Sequence, residues 1–257
     1  MIKLIIAELE RSVERKGTRI LFMVTAVLPI VIYYIVQYQV RCGGNNGIDA
    51  LDCLNYPVYF VDEFNILLVV IIGPLFFNEC LTLEVDSGAY KLIAIRPFKK
   101  WKLIVSKWIS SALLYLCMLF SALLIKTILG FSFMPKVSYT SYFNISGRFD
   151  LFNALLYNIK YYFIIFIIHI TILGITSLIS VIVKKTLVTF MTTSVVIMGA
   201  FYFSKAFSNI IFRISSYISH VLGGNYNFST ILYIITIDFI LFGTSLYIWN
   251  KNIGVSV

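Results

Sequence analysis

Apolar residues run through this chain in long blocks, and six of them reach the length at which a solvent must be named. They occupy positions 20–38, 64–77, 103–129, 161–183, 187–203 and 228–249. A helix needs about 20 mostly apolar residues to cross some 30 Å of hydrocarbon, where backbone groups find no water to bond. Each block therefore reads as a membrane span. The second is short and carries Asn65 and Pro74. It is expected to run on to residue 83, and either to draw on positions 59–61 at its start or to pack inside the bundle.

Ahead of the first span the period changes. Ile2, Ile5, Ile6, Leu9 and Val13 recur every three or four residues, while Lys3, Glu8, Glu10, Arg11, Glu14 and Arg15 take the other face. That pattern predicts an amphipathic helix lying in the membrane interface over 1–19, with Gly17 letting the chain turn into the first span; the plainer alternative is a soluble helix. The acidic residues also interrupt the place where a cleavable signal would carry its apolar core, so the first span is expected to stay in the mature protein.

Composition agrees. The 257 residues are 60% apolar and 13% charged, with a mean hydropathy of +0.90. Globular chains carry roughly 45 to 50% and about 25%, so a cytosolic enzyme, a disordered tail and a secreted disulfide scaffold are all poorly supported. The expected fold is an all-α membrane protein of six spans, forming one transmembrane domain over 1–257.

The net charge of +9 calls for no nucleic acid, because the basic residues sit in short clusters between the spans. Positive charge is retained on the cytoplasmic side. Fourteen of the 21 basic residues precede the first span, lie between the second and third or the fourth and fifth, or follow the sixth; six lie in the opposite loops. Both termini are therefore expected in the cytoplasm, with the chain crossing the plasma membrane several times. Trp101, Trp108 and Trp249 fall at inner boundaries, where indole rings prefer to sit. Lys126, near the end of the third block, is expected to snorkel outward.

The most informative stretch leaves the second span: NECLTLEVDSGAYKLIAIRPFKKWKLIVSK. Ser87 can cap a short helix, Gly88 permits a tight turn, and Pro97 stops the helix. Tyr90, Leu92 and Ile95 would make a poor free surface and a good knob for a partner's groove; without a partner the segment would be a re-entrant or interfacial helix. The order Glu79, Glu84, Ser87 with Gly88, Pro97, Lys99 with Lys100, and Lys107 resembles the cytoplasmic coupling segment in the permease subunits of type-2 ABC exporters. With six spans and an interfacial first helix, the resemblance extends along the chain.

The resemblance implies a coupling helix in 84–100, gripped by a separate ATP-hydrolysing subunit through Glu84, Ser87, Gly88, Tyr90, Leu92, Ile95, Pro97 and Lys99. It also implies two permease chains, identical or not, meeting along their first and fifth spans, and two ATPase chains that carry the ATP and Mg. No cofactor is expected in this chain, and it is not expected to be an enzyme. Gly223-Gly224 is followed by Asn225-Tyr226, with neither the spacing nor the lysine of a phosphate loop. The family commonly dips the link between its last two spans into the outer leaflet as short helices, and 204–227 looks similar.

His169 in the fourth span and Asp238 in the sixth are titratable groups near mid-membrane. Each costs about 2.5 kcal/mol or more there, so each should face the bundle interior, a partner or water. They can serve a substrate route, pair with each other as a lock, or bond across helices to Thr171, Thr236, Thr244 or Ser245. One His and one Asp do not supply the three or so protein ligands of a catalytic metal, and nothing near His169 favours a serine protease. Cys42 and Cys53, eleven apart in an outer loop, are candidates for a disulfide. A low-charge interior suits an amphipathic or apolar cargo: first a membrane-active peptide of toxin or lantibiotic type, then a hydrophobic drug or antibiotic, then a lipid-linked polysaccharide. Outside transport, the rival is a channel or scaffold whose basic loop holds anionic lipid.

Overall fold

The computed structural model describes residues 1–41, 51–89, 99–143, 145, 147–203, 208, 209, 212–223 and 229–253. Among them the regular structure is helical, apart from one antiparallel bridge between Thr140 and Phe149. The helices are α1 (Ile2–Glu14), α2 (Lys16–Arg41), α3 (Val61–Leu67), α4 (Gly73–Leu81), α5 (Leu83–Asp86), α6 (Lys100–Phe133), α7 (Leu151–Val183), α8 (Thr186–Phe203), α9 (Ile214–Leu222) and α10 (Ser229–Ile253). Five stretches are long and apolar enough to cross a bilayer: Lys16–Tyr38, Tyr56–Leu81, Lys100–Phe133, Leu151–Val183 and Ile231–Lys251. A further apolar stretch, Thr186–Ala200 in α8, is shorter. The chain is a helical, membrane-embedded protein.

The second span lies at the centre. Helices α3 and α4 join through a π-turn at Leu68–Ile72 into one rod, preceded by a short 3-10 turn at Tyr56–Val58. The rod packs against α2, α6, α7 and α8, and Phe64, Leu68, Phe76 and Phe77 are wholly buried. So the span both draws on residues before Phe64 and sits inside the bundle. Its irregularity has a local cause. A Cβ on Gly73 would stand 2.7 Å from the Leu68 carbonyl oxygen, which only glycine tolerates. Pro74 has no N–H to give the Val70 carbonyl, and that carbonyl accepts from Ser194 Oγ of α8 at 3.1 Å.

Two helices outrun their apolar blocks. Helix α6 spans 34 residues. Helix α7 starts at Leu151, ten residues before the block at 161, because Asp150 caps it by accepting from the Asn153 N–H at 3.4 Å. Its opening turns carry Asn153, Asn158 and Lys160, which hydropathy reads as loop. Asn158 is nonetheless buried, donating to the Leu54 carbonyl at 3.0 Å and accepting from Tyr142 Oη at 3.0 Å. Further along, Trp108 Nε1 donates to Ser177 Oγ at 2.7 Å and Ser177 bonds Ser245 at 2.7 Å, tying α6, α7 and α10. A Cβ on Gly174 would meet Leu241 at 3.1 Å, so glycine lets α7 and α10 approach closely.

At the end away from α1, Lys126 does not snorkel. It is 1% exposed and donates to the carbonyls of Tyr59 at 3.0 Å and Phe60 at 3.5 Å, with Phe64 beneath it. These carbonyls lie in the turn that leads into α3, and the buried ammonium bonds both. Beside it, Asp62 accepts from the Ser215 N–H at 2.9 Å and from Ser215 Oγ, which caps the short helix α9. That helix lies in the 204–227 link, where residues 208, 209 and 212 are helical as well, and packs on α3 and α7 with Ile214 and Ile218 fully buried.

Candidate functional site

Arg15 is extended (φ −65°, ψ 131°), so the chain breaks between α1 and α2 and α1 folds across α6. The periodicity of α1 then decides what it buries. Glu8, expected on the polar face, instead lies with Ser12 on the same stripe as Ile5 and Leu9, and both face the bundle with 4% and 2% exposure. Ile2, Ile6 and Val13 are left outward, as an interfacial helix requires.

Glu8 meets its partners there. Lys107 of α6, itself 3% exposed, donates to Glu8 Oε2 at 3.0 Å and to Glu84 Oε2 at 2.6 Å. Arg11 bridges Glu8 at 3.1 Å and Glu84 at 3.0 Å. Arg15 also pairs with Glu84 and donates to the Glu79 carbonyl at 2.5 Å. Glu84, the residue that opens the expected coupling segment, is thus held by cations from α1, from the α1–α2 break and from α6. Burial alone would raise the Glu84 carboxyl, but Lys107, Arg11 and Arg15 outweigh it and hold it below the ordinary glutamate value. Arg11 is likewise held above its ordinary value: burial opposes its charge and the two glutamates outweigh that.

Two carboxylates face three cations in this clamp, which leaves a positive excess. Glu79, whose carboxylate feels Arg15, lies against the backbone of α2. A Cβ on Gly17 would stand 1.9 Å from Glu79 Oε1, so a larger residue there would push the Glu79 carboxylate out of the place it occupies. The turn expected at Gly17 is made instead at the extended Arg15, and Gly17 lies inside α2, where its missing side chain leaves room for the acid that closes the second span.

Two residues beyond Glu84, Asp86 reaches α8. Its Oδ2 accepts from the Thr186 N–H at 2.9 Å and from Thr186 Oγ1 at 2.8 Å. These bonds hold the Asp86 carboxyl below the usual aspartate range. Asn78 Nδ2 donates to the Thr186 carbonyl at 2.5 Å. The end of the second span thus supplies the N-terminal cap of α8 from another part of the chain. Ser87 Oγ turns back to the Glu84 carbonyl at 3.3 Å, and Gly88 takes φ +75°, a left-handed conformation that suits glycine. Lys99 is extended at the start of α6. Tyr90, Leu92, Ile95 and Pro97 lie outside the described residues.

The other candidates fall elsewhere. His169 is wholly buried, with Tyr115 Oη on Nδ1 at 2.9 Å and Asn65 Oδ1 on Nε2 at 2.8 Å. The amide oxygen places the ring proton on Nε2 and leaves Nδ1 to accept from the phenol. This joins the second, third and fourth spans. Asp238 is 7% exposed beside Thr171 of α7, and its Oδ1 is buried with no hydrogen-bond partner among the described residues. No bond joins His169 to Asp238 there. Thr236 and Thr244 bond carbonyls of their own helix, and Ser245 bonds Ser177. Cys53 is buried, and Cys42 lies outside the described residues.

Sequence reasoning named Glu84, Lys107 and His169 but not the residues that complete them. Glu8 could have been found, since an acid at position 8 and a serine at 12 share the stripe of Ile5 and Leu9. No local signal marks Asp86 as the cap of a helix 100 positions on. Comparison with known protein families, curated proteins and solved structures finds no match to this chain.

Proposed function

We propose that the chain is the membrane-spanning permease subunit of a type-2 ABC exporter, with α8 as the fifth of six spans and both termini in the cytoplasm of the plasma membrane. One observation carries this reading: Glu84, at the root of the segment 84–100, is clamped by Lys107, Arg11 and Arg15, while Asp86 caps α8. A force on that segment would reach α1, α6 and α8 together, which is what a lever between an ATPase and a bundle needs. Two such chains would work with two ATPase subunits that hold the ATP and Mg. The cargo that suits the low-charge bundle is an amphipathic or hydrophobic molecule, first a membrane-active peptide, and alternating access would follow from helix tilting.

The reading is tested by affinity purification of the full chain from its own cells. A phosphate-loop ATPase is expected to come with it in about equal amount, and Gly88→Trp or Leu92→Asp to lose that partner while membrane level and melting temperature hold. Undiminished association in both variants would remove 84–100 as the contact. A wild-type chain that purifies with no ATPase would leave the scaffold or channel reading.

A further inference from the structure

The chain bends where α1 meets α2, and the outward side of that elbow is sorted by chemistry. On α1 the exposed residues fall on two edges, Ile2, Ile6 and Val13 on one and Lys3, Glu10 and Glu14 on the other. On α2, Lys16 and Arg19 are exposed and stand one turn apart on the same face. Exposed Ile20, Met23 and Val27 continue that face into Lys16–Tyr38, the first of the stretches long and apolar enough to cross a bilayer.

The two basic residues have no anion of their own. The ion pairs among the described residues all belong to the clamp, so neither Lys16 nor Arg19 has a carboxylate partner there. Arg19 is nonetheless held in place: its Nε donates to the Val13 carbonyl at 2.9 Å, which sets the guanidinium against the end of α1 with its terminal N–H groups free to bond outward. The change to apolar side chains is immediate. Ile20 follows Lys16 by four positions and Met23 follows Arg19 by four, so each cation has an exposed apolar neighbour on its own face, one turn further into the span.

A head that is basic and a tail that is apolar select their occupant by elimination. A free phosphate would meet the cations and leave the apolar face bare. An acidic protein segment would have to follow that face into the span, where its backbone groups find no water. A zwitterionic lipid brings a cation of its own to the two basic residues, whereas an anionic lipid brings only the charge they lack. We propose that the elbow seats an anionic phospholipid, its phosphate on Lys16 and Arg19 and its acyl chains along Ile20, Met23 and Val27. Arg15, at the break itself, holds Glu84, so a lipid braced across the elbow ties the clamp to the charge of the surrounding membrane. The proposal stands apart from the exporter reading, since it needs no ATPase.

The test uses the full chain in phosphatidylcholine nanodiscs, with its four native cysteines replaced, a bimane fluorophore on Val13→Cys, and small amounts of lipid carrying a nitroxide on the acyl chain as quencher. Nitroxide phosphatidylglycerol is expected to quench at about a tenfold lower mole fraction than nitroxide phosphatidylcholine. Salt at about 1 M, which screens charges beyond roughly 3 Å, is expected to remove most of that preference without any further substitution. Lys16→Gln with Arg19→Gln is expected to bring the two lipids within about twofold with the melting temperature held, while Lys16→Arg with Arg19→Lys keeps the preference. Equal quenching by the two lipids at low salt, or a preference that survives either salt or the neutral variant, would overturn the proposal. Quenching by neither lipid would overturn it as well, and is the result expected if a second copy of the chain covers this face.

Discussion

Glu84 accepts from three cations, two of which lie 73 and 69 positions away, and Lys107 reaches back 99 positions to Glu8. Such a cluster is weak evidence of net stability, because taking charges from water costs about as much as their attraction returns. Breaking it is another matter. Glu84→Gln leaves a 3%-exposed ammonium with half its compensation, and a loss of about 3–5 kcal/mol is expected in detergent unfolding. Replacing both partners, as Glu84→Gln with Lys107→Met, should recover much of that loss; a double variant as unstable as the sum of the singles would contradict a shared clamp. The pH dependence has a definite sign. A carboxyl held below its ordinary value stabilises the fold above that value, so the contribution of Glu84 is present at neutral pH and lost as pH falls below about 4. At this scale the sequence shows which residues are unusual, Glu84, Lys107 and His169 among them. It does not show their partners, because a bond across 54 or 104 positions, as His169 makes to Tyr115 and Asn65, leaves no local pattern.

The two ends of the second span do the same job with different aspartates. Asp62 caps α9 and Asp86 caps α8. Each supplies an anion to a helix N-terminus from outside that helix, where free N–H groups and the helix dipole favour negative charge. Asp86→Ala is expected to cost about 0.5–2 kcal/mol of local stability, read as faster amide exchange over residues 186–189 with exchange in α7 unchanged. Equal protection in the variant would contradict Asp86 as the cap of α8. Elements were legible where one physical signal ruled: apolar length set the spans, and the three-to-four period set α1. They were less legible where signals competed. The polar opening of α7 reads as loop until Asn158 is seen to be buried and bonded. Lys126 reads as a snorkelling residue until its ammonium is seen to be buried on the carbonyls of Tyr59 and Phe60.

On the scale of the molecule, the chain is organised around one buried rod whose ends are pinned differently. Near α1, a charged clamp fixes the root of 84–100 to two other elements; at the far end, Lys126 and Asp62 fix the rod to α6 and α9. Membrane character was legible from composition because no soluble chain carries blocks of this length, whereas the side of the membrane rests on the distribution of charge. The exporter reading needs the clamp, and the lever it anchors, to face the cytoplasm. That is decided by one measurement: Lys99→Cys, in a chain with its four native cysteines replaced, exposed to a membrane-impermeant maleimide in intact cells and again after permeabilisation. The account predicts labelling only after permeabilisation, with the reverse for a cysteine at Ser138. Labelling of position 99 in intact cells would contradict it.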